Sequence, residues 1–341
     1  MGKYDKDNRT VVFDIDGVIA SAPERGGHEK EVCAYVEGRF GKNFLADHSI
    51  EAAGYIHLVY PGIPEFIRWL VRRNVRIHFC STGVKRRNDE LVPKVMNAAL
   101  KDESDETRAR VLKGMRVFSR EDLVRQQACN KAHGLVGATV YGGEYHKILC
   151  PYIVNYDNLP NTLLIDDDVS YMAFGEEYNF VGGKYYGYFY RPDGRENAER
   201  RREDFIELCR GFLFAGVVSE IFKLSDSRKF CSLTEASKIV QYGDGPEAYV
   251  PEDRTYFQNT YQELAFYKAG LKALKTVNPE LEFPLPLPKS LRDKDEERPV
   301  RLSDAERLEL RQNIDERAAE FMKDAAERWA LSTHHGEEEE E

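Results

Sequence analysis

Four consecutive apolar or β-branched residues, Thr10-Val11-Val12-Phe13, run straight into Asp14-Ile15-Asp16-Gly17. A strand without a polar face needs cover on both sides, which is the setting of a buried strand in a parallel sheet. The acidic residues and the glycine then end it. The pattern recurs down the chain. Val75 to Cys80 reads as a strand that stops at Ser81-Thr82-Gly83, Val117-Phe118 as a shorter one, and Leu163-Leu164-Ile165 as a buried one that stops at Asp166-Asp167-Asp168. Between the first two, Pro61-Gly62 breaks the chain, and Ile63, Phe66, Ile67, Leu70 and Val71 follow at helical spacing until Asn74 closes the helix. Strands alternating with helices predict an α/β fold with a doubly wound parallel sheet.

The rest of the chain hangs on that frame. Residues 19–60, with Gly26-Gly27 and many charges, read as a cap-type insertion that returns through Tyr55 to Tyr60. We expect a catalytic domain over 1–195, a helical extension over 196–282, a proline-rich linker over 283–300, a helix over 301–332 opened by a Ser303–Glu306 capping box, and an acidic tail over 333–341. Lys184 to Tyr190 is read as a further sheet strand. The 341 residues carry a formal net charge of −10, which argues against nucleic acid as the main partner. Six cysteines form no CxxC pair, which points to a reduced, cytoplasmic protein without a zinc cluster. The charged start leaves no room for a signal peptide, Lys6 breaks the myristoylation pattern, and the apolar stretch Phe212 to Val218 is too short to span a bilayer.

In a doubly wound sheet the carboxyl ends of the strands converge on one crevice. Asp14 and Asp16, Ser81 or Thr82, and Asp166 with Asp167 would meet there, joined by Lys147. Such a set suits attack on a phosphate monoester. A carboxylate and a phosphate repel unless a cation lies between them, and Mg2+ takes hard oxygen ligands from one or two carboxylates and the substrate. Asp14 can then form an aspartyl-phosphate. Asp16 can protonate the leaving oxygen and later activate water. Ser81 can donate to a phosphoryl oxygen, and Lys147 can neutralise charge on the transferring group.

Val12-Phe13-Asp14-Ile15-Asp16-Gly17-Val18 resembles the DxDx(T/V) motif of the haloacid dehalogenase (HAD) superfamily, and the other three motifs follow in order. The nearest branch is the FCP/SCP-type, NLI-interacting-factor-like protein phosphatases. Tyr60-Pro61-Gly62-Ile63-Pro64-Glu65-Phe66 resembles that branch's RPGVxxF, and Val117 to Leu123 its YREHC segment. The resemblance spans roughly 9–190. It implies a HAD-like Rossmannoid fold and a magnesium-dependent phosphatase acting on a phosphorylated protein. It makes Asp14 the nucleophile, Asp16 the general acid and base, Lys147 the residue that orients Asp14, and Ser81 a phosphate ligand, with Thr82, Gly83 and Arg86 beside it. It assigns the metal to the Asp14 side chain, the Asp16 carbonyl and Asp167, with Asp166 as the secondary choice. Val18 and Ser81 stand where the branch often has Thr, and Asp168 is an added acid. The appended helices and acidic end also resemble effectors that intracellular bacteria export into host cells.

Other readings compete. Cys80-Ser81-Thr82-Gly83-Val84-Lys85-Arg86 resembles the loop of cysteine-dependent tyrosine phosphatases, but Phe79 precedes the cysteine where histidine is usual, and Arg87 stands where Ser or Thr is usual. That reading also leaves Asp14, Asp16 and Asp167 unexplained, and Cys80 reads more simply as a buried strand residue. Arg86 and Arg87 would then help to bind an anion. Gly38 to Lys42 is not a phosphate-binding loop, and the eight histidines show no HExxH. A nucleotide, sugar-phosphate or polynucleotide-end phosphatase shares the same chemistry, and an inactive HAD scaffold is the remaining alternative.

Overall fold

A computed structural model describes residues 8–21, 29–132, 146–168, 171–173, 175–182, 208–227, 231–242 and 260–282. The stretches expected to be a strand at 184–190, a linker at 283–300, a helix at 301–332 and an acidic tail at 333–341 lie outside the described residues. In chain order the elements are β1 (Thr10–Phe13), β2 (Ala20–Ser21), α1 (Glu29–Phe40), α2 (Lys42–His48), β3 (Ser49–Ala52), β4 (Tyr55–Val59), α3 (Ile63–Val71), β5 (Arg76–Cys80) and α4 (Lys85–Ala99). They continue with α5 (Asp105–Gly114), β6 (Arg116–Phe118), α6 (Arg120–Ala132), β7 (Thr162–Asp166), β8 (Phe180–Gly182), α7 (Arg210–Ser227), α8 (Leu233–Tyr242) and α9 (Thr260–Leu274).

Five strands form one sheet in the order β6-β5-β1-β7-β8, every pair parallel. That is the doubly wound order expected from the sequence. The apolar run that opened the chain is its central strand, and all four of its residues are buried. Phe13 meets Phe66 of α3 edge-on at 5.4 Å and stacks on Phe79 of β5 at 5.9 Å. Burying each such ring contributes about 1.5–3 kcal/mol. The register pairs Phe13 with both Phe79 and Ile165. One residue further on, Asp14, Cys80 and Asp166 therefore leave the sheet side by side.

The 19–60 insertion is a small antiparallel sheet, order β2-β4-β3, with α1 and α2 carried between β2 and β3. The helices after residue 208 share the sheet's hydrophobic core. Phe212, Phe214 and Phe222 of α7 are buried in the same cluster as Val11 and Phe13, and Phe222 stacks on Trp69 of α3 at 5.6 Å. Arg9, just before β1, lies over the Phe222 ring and pairs with Asp226 at 2.6 Å. Helices α7 and α9 approach closely because both carry glycine at the crossing. A Cβ on Gly216 would stand 1.9 Å from the Phe266 carbonyl, and one on Gly270 1.8 Å from that of Phe212.

Candidate active site

Asp14 follows β1 and is held by its own backbone, whose N–H donates to the Ile165 carbonyl at 2.8 Å. Its side chain lies beside Lys147, with Nζ 2.9 Å from Oδ1. The same ammonium donates to Asp166 Oδ2 at 2.6 Å. Lys147 and Asp166 are fully buried. The contact with Asp14 is an ion pair buried from water on both sides. Lys147 is placed by a bridge to Met172, its backbone N–H donating to the Tyr171 carbonyl. Glu176 steadies the segment just after it, accepting from the backbone N–H groups of Leu149 and Cys150 at 2.8 and 2.9 Å. Asp166 Oδ1 accepts from the Asp168 backbone at 2.9 Å, so both its oxygens are engaged.

Asp16 is clamped on both oxygens by Arg87, at 2.5 Å to Oδ1 and 2.7 Å to Oδ2. Charge-assisted bidentate pairs of this kind are strong and geometrically strict. Ser81 is fully buried behind them. Its hydroxyl accepts from Gly83 N–H at 3.0 Å and lies 3.4 Å from Asp16 Oδ2. Arg87 reaches Asp16 by passing over Gly83, where a Cβ would stand 1.7 Å from its Nη2. Asn88 ties this loop down, donating to the Gly83 carbonyl and to Ser119 Oγ.

Asp167 closes the third side. It packs against Gly17, whose φ of +78° and absent Cβ are both required, because a Cβ there would overlap Asp167 Oδ2 at 2.0 Å. Arg210, at the start of α7, donates to Asp167 Oδ2 at 3.1 Å and to the Gly17 carbonyl. Oxygen atoms of Asp14, Asp166 and Asp167 all lie within 4.8 Å of one another, and all three residues are buried.

The electrostatics follow from burial. Desolvation pushes the Asp14 carboxyl up to about 6, against the pull of Lys147 and with added repulsion from Asp16 and Asp167. Burial likewise raises Asp166. Burial alone would lower the Lys147 ammonium, but Asp14 and Asp166 outweigh it and hold the proton more tightly than usual. Burial pushes the Cys80 thiol up to about 12, so no thiolate forms near neutrality.

The fold therefore brings together Asp14, Asp16, Ser81, Gly83, Lys147, Asp166 and Asp167. Thr82 stands half-buried on the same loop, its carbonyl accepting from Arg120 Nε at 2.7 Å. Arg86 is not brought in: its side chain is 82% exposed and faces Glu90, while its neighbour Arg87 turns inward. Two participants carried no signal in the sequence. Arg210 comes from a helix with no motif, and His57 on β4 is buried near enough to Arg87 and Asp16 to feel their charges.

No family model matches the sequence, and no curated protein does. Solved structures do. One, described as a variant of the fission yeast RNA polymerase II CTD phosphatase Fcp1 bound to beryllium fluoride, is 14% identical, with 70% of this chain and 71% of that one covered at a TM-score of 0.36. Another, described as Fcp1, an essential RNA polymerase II CTD phosphatase, is 12% identical, with 77% and 80% covered at a TM-score of 0.35. Neither adds weight at these values; the sheet order and the carboxylate cluster stand on their own. No helix of the described residues is long and apolar enough to cross a membrane.

Proposed function

We propose that the protein is a magnesium-dependent phosphomonoester hydrolase that works through an aspartyl-phosphate on Asp14, with a phosphorylated protein as substrate. The observation that carries this reading is the buried cluster of three carboxylates, Asp14, Asp166 and Asp167. Lys147, Arg87 and Arg210 pair with carboxylates of the site, yet burial still pushes the Asp14 carboxyl up. A divalent cation with oxygen ligands would suit such a cluster. Asp14, Asp167 and the Asp16 carbonyl would hold Mg2+, which when bound would screen the nucleophile from the anionic substrate. Asp166 is the weaker candidate, because Lys147 and the Asp168 backbone already take both its oxygens.

Asp14 attacks phosphorus, a P–O bond forms, the ester P–O bond breaks, and the leaving oxygen takes a proton from Asp16. Water then attacks the phosphoryl group, gives its proton to Asp16, and the bond to Asp14 breaks. Asp16 must first be freed from Arg87 and take up a proton from solvent. An arriving phosphate competes for the same guanidinium, so substrate binding itself supplies the release. Ser81 and its loop, with Arg87, then surround the phosphoryl oxygens. The choice of a protein substrate rests on the FCP/SCP-like segments at 60–66 and 117–123.

The test is turnover of an aryl phosphate, a phosphopeptide panel and nucleotides, each with magnesium and with chelator. Chelator and Asp14→Asn should each abolish hydrolysis, and phosphopeptides should turn over faster than nucleotides. Chelator-resistant activity in Asp14→Asn would overturn the chemistry, and preference for nucleotides would overturn the substrate.

A further inference from the structure

We propose that a second, anion-binding site lies at the opposite pole of the sheet, where Arg76, Arg110 and Arg116 line one cavity, and that it takes a pyrophosphate or small bisphosphate. Arg76 opens β5 and Arg116 opens β6, so the cavity sits at the amino ends of strands whose carboxyl ends form the crevice. From Arg76 to Cys80 the strand covers about 13 Å, which separates the two sites.

The cavity measures about 500 Å3, and among the described residues no carboxylate lines it. That is unusual in a chain with 59 acidic and 49 basic residues. Elsewhere the buried or half-buried arginines take carboxylates: Arg9 holds Asp226, Arg68 holds Asp102, Arg87 holds Asp16 and Arg210 holds Asp167. The three arginines that line the cavity are exposed at the surface and use neutral oxygens instead. Arg76 donates to Asn8 Oδ1 at 2.7 Å, Arg110 to Asn74 Oδ1 at 2.8 Å, and Arg116 to the Ile153 carbonyl. Among the described residues none of the three has a carboxylate partner. Each guanidinium has five N–H donors, so most remain for a ligand.

His78 adds a donor. Its Nδ1 accepts from the Arg116 backbone at 3.1 Å, which puts the proton of the neutral ring on Nε2. Burial, then the charges of Arg116 and Arg76, hold that ring neutral, a sign of positive potential in the cavity. Gly114, at the carbonyl end of α5, also lines it, so an anion must be gripped by side chains rather than by the helix end. A phosphate monoester carries about −1.5 to −2 charges at neutral pH, so two phosphates balance three guanidiniums. Val75, Ile77 and Val111 also line it, with no aromatic ring besides His78 among the described residues, so the site reads phosphates rather than a base.

The experiment is calorimetric titration of the full chain with inorganic pyrophosphate, in chelator and at about 0.15 M salt to screen diffuse attraction. A sugar bisphosphate, run alongside, tells whether separated phosphates fit as well as joined ones. One pyrophosphate should bind per chain. The double variant R76Q/R116Q should weaken it about tenfold or more, while Ser81→Ala, in the crevice, should leave it unchanged. Absence of binding to the wild type overturns the proposal, and so does loss in Ser81→Ala with retention in the double variant. Should the double variant not fold, the single variant R110Q on exposed α5 takes its place. The ring resonance of His78, identified by His78→Gln, should then move with pyrophosphate in the wild type, and a static resonance overturns the proposal.

Discussion

Replacing Arg210 by methionine tests whether the helices after residue 208 belong to the site. Arg210 is 3% exposed and Asp167 8%, so their contact at 3.1 Å is shielded from water. Methionine fills much of the same space but takes away the Arg210 ion pair of Asp167 beside Asp14 and Asp166. Removing one partner of a buried pair costs about 3–5 kcal/mol, and the Gly17 carbonyl loses a donor as well. At about 2–4 °C per kcal/mol for a chain of this order of size, the melting temperature in chelator should fall by roughly 6–20 °C. The loss has a signature that simple misfit lacks. Adding Asp167→Asn to Arg210→Met removes the carboxylate that Arg210 had paired, so the double variant should be more stable than Arg210→Met alone. Magnesium should also raise the melting temperature of Arg210→Met more than that of the wild type, because the site then has one cation fewer. Circular dichroism melts of the wild type, Arg210→Met, Asp167→Asn and the double variant, with chelator and with magnesium, supply every number needed. An Arg210→Met melting temperature within about 2 °C of wild type, or strictly additive losses, would refute the reasoning.

Gly83→Ala drives a Cβ to within 1.7 Å of Arg87 Nη2 and must push the guanidinium off Asp16. Because the displaced atom ends a flexible side chain, stability should change by only about 1 kcal/mol while kcat/KM falls about a hundredfold; kinetics of the folded variant decide it. Cys80→Ala should keep activity within about twofold, and iodoacetamide should leave the wild type active, because burial pushes that thiol up to about 12. Acid stability should depend on His78. Its ring is held neutral down to about 4 against 6.5 in the unfolded chain, first by burial and then by Arg116 and Arg76. The folded state binds fewer protons across that window, so this contribution is complete above pH 6.5 and lost as pH falls through 4, about 3 kcal/mol in all. Urea midpoints at pH 7 and pH 4 should therefore differ less in His78→Gln than in the wild type.

What could be read from the sequence was whatever local pattern encodes. Thr10 to Phe13 has no polar face, so its burial in a parallel sheet followed, and with it the meeting of Asp14 and Asp166 in one crevice; that β1 is central and β7 its neighbour is the structure's addition. The helix at 63–71 was readable because its spacing and Pro61-Gly62 boundary are local signals. The insertion was seen as an interruption, but not as a sheet with two helices, because α1 has almost no apolar face to betray it. Arg86 and Arg87 are adjacent on a helix, roughly 100° apart around its axis, and composition cannot tell which one turns inward. The deciding fact is Gly83, whose missing Cβ opens a path for Arg87 alone. Arg210 had no motif at all; its role exists only because α7 packs in the core beside α3.

That last point bears on how the site holds its charge. The three cations that face its carboxylates come from three separated parts of the chain: Arg87 from α4, Lys147 from the segment before β7, and Arg210 from α7. Each is fixed by a different neighbourhood, Gly83 and Asn88 for the first, Tyr171 and Met172 for the second, Gly17 and Tyr60 for the third. A loss at one is not made good by the others. Asp166 spends both oxygens on Lys147 and the Asp168 backbone, Asp16 is clamped, and Asp167 is fastened to α7. Asp14 shares the Lys147 ammonium with Asp166, and burial raises its carboxyl against that pull, which fits the nucleophile's role proposed for it.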